Sequence, residues 1–248
     1  MNSKIQKIIC DDSQNITKWH KENNVALSII KPPYITDEEL NDKYLTDFQN
    51  IMKQVSQVTK PEGICCLILD EDKNSYEKMS SVSSKILLQV MDSEDWEKRE
   101  EIIWVKSPKS SIESINPMEN GILINFEDTP FSTVHVLQKT GCEFEYVDGE
   151  ERISKLDVDD KTKEEWSNSV WFVKPKKESE FQDRIASKII SRLIQIFTYK
   201  NNIVLDPFAG HGIVGKITVE LSRKYICFEK NEIKIPVKTD EGGEMNLD

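Results

Sequence analysis

Short apolar runs recur along the chain and alternate with longer amphipathic stretches. The runs have the length and composition of buried strands, and they lie at residues 4–10, 25–30, 64–69, 101–106, 170–173, 202–208 and 224–228. Between them, helical patterns cover residues 40–58, 76–91, 182–198 and 213–222. Buried strands that alternate with helices predict an α/β fold, in which a mostly parallel central sheet is covered by helices on both faces.

Local signals predict where several of these elements begin and end. Asp12 and Ser13 are suited to cap a helix over residues 14–22. Thr36, which is followed by three acidic residues, predicts the start of the long helix after the second strand. The sequence Lys-Pro-Glu-Gly at 60–63 predicts the turn that ends this helix.

The middle of the chain has a weaker pattern. Residues 121–126 and 132–139 resemble two strands joined by an acidic turn, and we expect them to form an antiparallel pair. Residues 141–168 are polar and predict irregular structure. We therefore expect a single domain over 1–235 that carries a small insert at about 107–168, followed by a flexible acidic tail at 236–248.

Composition narrows the classes of partner. The chain has 248 residues, with 33 Lys and Arg against 44 Asp and Glu, so its net charge is −11. Such an acidic protein does not hold nucleic acid by bulk charge, and a nucleic-acid role needs a local basic surface or a basic partner. Lysines that flank the insert could contact phosphates, although for each one a solvated loop position is the commoner role: Lys106, Lys109, Lys174, Lys176 and Lys177.

Cysteine and histidine usage suggests neither disulfides nor a metal site. The five Cys are odd in number and lie mostly in apolar runs, and the three His are scattered. No apolar run approaches the roughly 18 residues of a membrane span, and the N-terminus has no apolar signal region. We expect an intracellular protein with reduced thiols and no membrane contact, cytoplasmic or, in a eukaryote, nuclear.

The segment with the most chemical information lies near the C-terminus. A buried strand ends at Asp206, Gly210 and Gly212 follow in a tight turn before a helix, and the next strand ends at Glu229. Glycines let a backbone approach a ligand closely, and a carboxylate after the next strand can bind ribose hydroxyls. Taken alone, the pattern predicts a nucleotide-type cofactor site about as well as a plain strand–helix connection.

Two motifs in order make a family resemblance specific. Residues 206–212, Asp-Pro-Phe-Ala-Gly-His-Gly, resemble the cofactor motif of S-adenosyl-L-methionine-dependent DNA amino-methyltransferases. The permuted beta-class arrangement of that family has a catalytic DPPY motif near the N-terminus, where this chain has Lys-Pro-Pro-Tyr at 31–34. Intervening segments follow the same order, so the resemblance extends from about residue 5 to 233.

The resemblance implies a fold, an activity and partners. The fold would be a Rossmann-like methyltransferase fold with permuted motif order, and the cofactor would be S-adenosyl-L-methionine. The substrate would be an exocyclic amine of a base in DNA, at adenine N6 or cytosine N4. A homodimer or a heteromeric methyltransferase partner is a further expectation.

The resemblance also assigns cofactor-binding roles to individual residues. Asp206 would lie near the cofactor's amino group and Glu229 would accept hydrogen bonds from the ribose. Asp12 would lie near the adenine, although it is equally suited to be only a helix cap. The methionine end would be shaped by Phe208, Ala209, Gly210, His211 and Gly212, of which His211 replaces the family's usual Ser.

The catalytic motif departs from the family at its first position. An exocyclic amine is a poor nucleophile, and in the family the first side chain and a proline carbonyl accept its hydrogen bonds while the aromatic ring stacks on the flipped base. Tyr34 can stack on a base and Pro32 can offer its carbonyl, and Pro33 lies between these two residues in the motif. Lys31, however, is an ammonium with three donors and no acceptor, unless its pKa is greatly depressed.

Three interpretations of this departure remain open at this stage. The chain is an active DNA amino-methyltransferase, a non-catalytic methyltransferase-like subunit that scaffolds or activates a partner, or an RNA base methyltransferase. Residues 32–34 could also be only a strand-ending turn, because Pro does not continue a central strand.

Overall fold

A computed structural model describes residues 6–70, 82–106, 131–141, 158–173 and 187–231. The strands in these residues are β1 Gln6–Cys10, β2 Val25–Ile30, β3 Thr59–Asp70, β4 Trp96–Val105, β5 Phe131–Lys139, β6 Val170–Phe172, β7 Ile203–Asp206 and β8 Lys224–Glu229. The helices are α1 Ile16–Trp19, preceded by a 3-10 turn over Ser13–Asn15, and α2 Asp42–Val58, α3 Val82–Met91, α4 Asp160–Ser167, α5 Ser187–Phe197 and α6 Ile213–Glu220.

The described strands form one sheet in the order β1-β8-β7-β2-β3-β5-β4-β6. Strand β5 runs antiparallel to both of its neighbours, and every other adjacent pair is parallel. This confirms the predicted α/β fold with a mostly parallel sheet. The carboxyl ends of seven strands and the amino end of β5 therefore lie at one edge, which we call the carboxyl edge.

Both faces of the sheet are covered. Helices α1, α2 and α3 pack on one face, where Val55, Ile86 and Leu67 belong to one buried cluster. Helices α5 and α6 pack on the other, where Leu193 and Ile217 belong to a second cluster. Side chains alternate between the faces: Cys65 lies in the first cluster and Cys66 in the second, and their burial raises the pKa of both thiols.

Helix α2 begins later than the sequence predicted. Thr36 forms a single turn in which Glu39 N–H donates to its hydroxyl at 3.3 Å and its own N–H donates to the Glu39 carboxylate at 2.9 Å. The chain then extends at Asn41, whose side chain accepts the Tyr44 N–H at 2.9 Å and caps the helix. The predicted helix over 14–22 is likewise shorter, because it ends at Trp19.

The predicted turn at 60–63 is instead a bulged part of β3. Val25 pairs with Thr59 and Leu27 with Ile64, so β3 advances five residues where β2 advances two. Glu62 has a φ of 62°, and a Cβ on Gly63 would lie 2.4 Å from the Thr59 methyl carbon. The Pro and Gly signals were correct about local irregularity and wrong about the end of pairing.

The middle of the chain required two more corrections. Both edges of β5 are occupied, by β3 and by β4, so the predicted pair between 132–139 and 121–126 is wrong. Part of the region predicted to be irregular is helix α4, capped by Asp159. Residues 107–130 and 142–157 of the predicted insert and the predicted tail at 236–248 lie outside the described residues. In the part of the chain that is described, no helix is long and apolar enough to cross a bilayer.

Candidate functional site

The carboxyl edge brings together the residues of the two sequence motifs, whereas Lys109, Lys174, Lys176 and Lys177 lie outside the described residues. Glu229 ends β8, Asp206 ends β7 and Lys31 follows β2, while Asp12 lies two residues beyond β1. In the sheet these strands are consecutive neighbours. Ligands of open α/β sheets bind outside the carboxyl ends of the strands, so the two predicted sites lie side by side at the edge where such ligands bind.

The turn between β7 and α6 exposes its backbone. Gly210 and Gly212 have φ values of 50° and 72°, which favour glycine. A Cβ on Gly210 would meet no described atom within 4 Å, so protein packing does not exclude a side chain there. The open space in front of Gly210 is suited to a ligand that approaches the backbone closely.

Glu229 faces this turn directly. Its Oε2 accepts the Gly210 N–H at 2.9 Å, and its Oε1 accepts the Asn231 N–H at 3.1 Å. The carboxylate is therefore oriented by backbone groups on both sides. The residues present fit a nucleotide-type cofactor, because an oriented acceptor and an open glycine turn are adjacent.

Asp206 is buried behind the turn, where it is 4% exposed. Its Oδ1 accepts the Phe208 N–H at 3.0 Å. Burial raises the pKa of Asp206 to about 7, the nearby charge of Glu229 adds to the rise, and the Phe208 N–H opposes it. Asp206 is thus a carboxyl group that changes protonation near neutral pH.

Asp12 performs the capping role that was one of its two predicted roles. Its Oδ1 accepts the Gln14 N–H at 2.9 Å, and its Oδ2 lies 3.1 Å from Lys230 Nζ, just beyond β8. The Gln14 N–H, aided by Lys230, lowers the pKa of Asp12 against the opposing effect of burial. The Ser13 hydroxyl donates to the Pro207 carbonyl, which ties the N-terminal segment to the glycine turn.

The other residues predicted for the methionine end differ in exposure. Phe208 stacks on Phe48 with ring centroids 6.2 Å apart and so packs against α2. Ala209 is buried, and its N–H donates to the Phe228 carbonyl at 2.9 Å. His211 is exposed, as is Gly210. The turn is thus anchored at 208–209 and open at 210–211.

The Lys-Pro-Pro-Tyr segment leaves β2 toward a cleft between β3 and α3. The lining of this cleft includes Lys31, Pro33, Tyr34, Asp70, Ser83 and Ile86. Tyr34 is 53% exposed, so its ring can be reached from solvent. Pro32 is buried, and the Lys31 side chain is only 8% exposed.

Asp70, which ends β3, explains where the Lys31 side chain goes. Lys31 Nζ donates to Asp70 Oδ2 at 2.6 Å, Lys106 Nζ donates to Oδ1 at 2.6 Å, and the Ser132 hydroxyl also donates to Oδ1. Burial alone would raise the pKa of Asp70, but the charges and hydrogen bonds of Lys31 and Lys106 outweigh it and lower the pKa to about 2.

Sequence reasoning missed Asp70 and Ser132 and gave Lys106 the wrong environment. Lys106 is not a solvated loop cation, because it pairs with Asp70 and lies 5.2 Å from the Trp104 ring centroid. The sequence did contain a signal for Asp70, because this residue directly follows the third buried run. That run ends beside the second run in the sheet. Among the described residues, no group of three or more His, Cys, Asp or Glu could hold a metal ion.

Comparisons with known proteins agree with this architecture. The model of the DNA methylase family, which covers N6 and N4 methyltransferases, matches residues 25–237. A candidate DNA modification methylase from Thermus thermophilus, solved with S-adenosyl-L-methionine, has a similar structure, with 18% identity over 92% of this chain and 88% of that chain and a TM-score of 0.70.

Two further structures share the fold. PvuII DNA methyltransferase, which is cytosine-N4-specific, is 17% identical over 93% of this chain and 83% of that chain, with a TM-score of 0.66. M1.HpyAVI in complex with SAM is 18% identical over 91% and 92% of the two chains, with a TM-score of 0.56. No curated protein sequence gives a significant match.

Proposed function

The chain belongs to the DNA methylase family of N6 and N4 methyltransferases, and from that premise we propose that it binds S-adenosyl-L-methionine at the β7–α6 turn. Its substrate is the exocyclic amine of adenine or cytosine in DNA. The observation that carries the proposal is the pairing of Glu229 with the open glycine turn, since an oriented carboxylate 2.9 Å from the Gly210 N–H suits a nucleoside-type ligand.

Each cofactor residue has a role consistent with its environment. Glu229 accepts the ribose hydroxyls, and Gly210 and Gly212 let the backbone approach the methionine end. Asp206 lies near the cofactor's amino group, where a positive charge would favour its ionised form. Asp12 lies near the adenine, held there by its own capping hydrogen bond.

The base-binding cleft uses Tyr34 for stacking and the Pro32 carbonyl as an acceptor. S-Adenosyl-L-methionine supplies an electrophilic methyl group: a C–N bond forms at the base amine as the C–S bond breaks, the electron pair stays on sulfur, and the surplus amine proton goes to water. The chain's own residues bind the base and orient the amine toward the methyl group.

Calorimetry with Glu229→Ala tests the cofactor site. Losing hydrogen bonds to a charged group costs about 1.5–3 kcal/mol, so we expect S-adenosyl-L-methionine to bind the variant at least tenfold more weakly than it binds the wild type. Glu220→Ala is the matched control, because Glu220 is exposed at the end of α6 and should leave the affinity unchanged.

The outcomes separate the cofactor site from its alternatives. Micromolar binding that only Glu229→Ala weakens supports the proposal. An affinity that both variants change equally points to a nonspecific charge effect, and no binding at millimolar cofactor contradicts the proposal for the free chain.

A second candidate function rests on Lys31. Its ammonium is no acceptor, and its Nζ is held in an ion pair with Asp70 at 2.6 Å, so a non-catalytic subunit that acts beside an active partner is the alternative. Transfer of labelled methyl groups to unmethylated DNA by the purified chain decides against this alternative. Its absence, combined with cofactor binding and a complex with a second methyltransferase chain, would favour it.

A further inference from the structure

A carboxylate stands in the base-binding cleft although the tetrapeptide lacks one. Asp70 and Tyr34 line the same cleft from neighbouring strand ends. We infer that Asp70 is a catalytic residue that accepts a hydrogen bond from the substrate's exocyclic amine, and that Lys31 and Lys106 are positioning residues that hold its carboxylate. The inference rests on the proposed function and adds to it the acceptor that position 31 does not provide.

The hydrogen bonds of Asp70 leave room for the amine. A carboxylate has about four lone-pair sites, two on each oxygen. Among the described residues, Oδ1 accepts from Lys106 and Ser132, whereas Oδ2 accepts from Lys31 alone. Oδ2 can therefore take one more donor. The Asp70 side chain is 27% exposed and lines the cleft.

The lysines fix the carboxylate in direction and charge. Lys31 and Lys106 approach different oxygens at 2.6 Å each, so the plane of the carboxylate is held from both sides. The Ser83 hydroxyl also donates to the Asp70 backbone carbonyl at 2.8 Å, which ties α3 to the end of β3. A preoriented acceptor needs little reorganisation when the base enters.

Asp70 accepts a hydrogen bond rather than the proton. Because Lys31 and Lys106 outweigh burial and lower its pKa to about 2, Asp70 is ionised at any pH at which the protein would be assayed. Such a weak base would not retain the surplus proton of the methylated amine, so that proton leaves to water. The carboxylate orients the amine and stabilises the positive charge that develops on its nitrogen.

Binding of single-stranded oligonucleotides tests the acceptor without turnover. Adenine and cytosine carry an exocyclic amine and thymine does not, so oligo-dA, oligo-dC and oligo-dT are compared in the presence of S-adenosyl-L-homocysteine. We expect the wild type to bind oligo-dA or oligo-dC about tenfold more tightly than oligo-dT. Asp70→Asn should reduce this preference to less than twofold.

Asp37→Asn is the matched control for loss of an ion-paired carboxylate. Asp37 pairs with Lys85 at 2.8 Å and is 30% exposed, close to the 27% of Asp70. The control should keep the preference of the wild type. Thermal unfolding and calorimetry with S-adenosyl-L-methionine establish that each variant is folded and binds cofactor.

If Asp70→Asn does not fold, the exchanged variant Lys31→Asp/Asp70→Lys decides. It preserves the ion pair between positions 31 and 70, although Lys106 loses its carboxylate partner, and it returns a carboxylate to the family's usual position, so it should keep the amine preference. Whether or not Asp70→Asn folds, a wild type that binds oligo-dA and oligo-dC no more tightly than oligo-dT overturns the inference.

Methyl transfer to unmethylated DNA separates this inference from the proposed function. Transfer by the wild type with at least a hundredfold lower kcat in Asp70→Asn supports Asp70 as a catalytic residue. An unchanged amine preference and kcat in a folded Asp70→Asn overturns the inference and leaves the proposed function standing. A wild type that neither binds the cofactor nor transfers methyl groups overturns both.

Discussion

The two carboxyl groups that flank the end of strand β2 have pKa values that are shifted in opposite directions. Asp206 on one side is buried beside the negative Glu229, and its pKa rises to about 7. Asp70 on the other side is partly buried, but two lysines lower its pKa to about 2. The same residue type therefore gives a group that titrates near neutrality at the proposed cofactor turn and a group that is ionised at neutral pH in the proposed base-binding cleft.

The raised pKa of Asp206 predicts how stability depends on pH. The folded state binds the proton more tightly than the unfolded state, so this contribution to stability is complete below about pH 4 and is lost as the pH rises through about 7. A pKa change from 3.8 to about 7 corresponds to at most about 4 kcal/mol. Relative to Asp206→Asn, the wild type should lose free energy of unfolding between pH 4 and 8, as measured by urea denaturation.

Asp70→Asn provides a control, because the pKa of Asp70 is lowered by folding whereas that of Asp206 is raised. With a folded-state pKa near 2, Asp70 is ionised in both the folded and unfolded states above about pH 5. Its stability difference from the wild type should therefore be constant from pH 5 to 8. A constant difference for Asp206→Asn over the same range would show that the Asp206 carboxyl is already ionised in the fold.

At the scale of elements, the sequence correctly placed strands that consist of one continuous apolar run. Strand β2 has the predicted bounds, and β7 and β8 lie where their runs lie. The bulge at 60–63 was missed because Pro61 and Gly63 report only local geometry, whereas pairing with β2 decides that the strand continues. Tertiary pairing overrides a local turn signal here.

The candidate site also has one part that the sequence predicted and one part that it did not. The glycine turn and Glu229 were predictable because their spacing along the chain carries the chemistry. The network around Asp70 was not, since Lys106 and Ser132 are 36 and 62 residues away and meet it only through the order of strands in the sheet. The glycine turn and Glu229, which a motif revealed, form the proposed cofactor site, whereas the network around Asp70, which depends on topology, adjoins the proposed base-binding cleft.

The start of α2 gives a prediction at this scale. Thr36 and Asn41 are both good capping residues, but only Asn41 caps the 17-residue helix in the structure. Asn41→Ala should cost about 1 kcal/mol of stability, because an N–H of the first turn loses its acceptor. Thr36→Ala should cost less than half of this, since Thr36 closes only an isolated exposed turn. Urea denaturation of both variants measures the difference, and a larger cost for Thr36→Ala would contradict this assignment.

For the whole molecule, residues near both ends of the described chain meet at the proposed cofactor site. The Ser13 hydroxyl and the Pro207 carbonyl are 194 residues apart in sequence and are hydrogen bonded in the fold. Lys230 pairs with Asp12 across the ends of β8 and β1. Strand β1 is an edge strand that pairs with β8 alone among the described strands, so its carboxyl end is held by this pairing and by the contacts at the proposed site.

Cofactor binding should therefore protect one edge of the sheet selectively from hydrogen exchange. A ligand at 100 times its dissociation constant stabilises the binding-competent state by about 2.7 kcal/mol, which slows by about a hundredfold those amides whose opening disrupts the site. With S-adenosyl-L-methionine, exchange should slow in β1 and β8 and remain unchanged in β6, the three-residue strand at the opposite edge. Glu229→Ala should abolish the protection at the same cofactor concentration. Equal slowing in β1 and β6 would mean that the cofactor stabilises the fold as a whole, and no slowing in β1 would place the adenine away from Asp12.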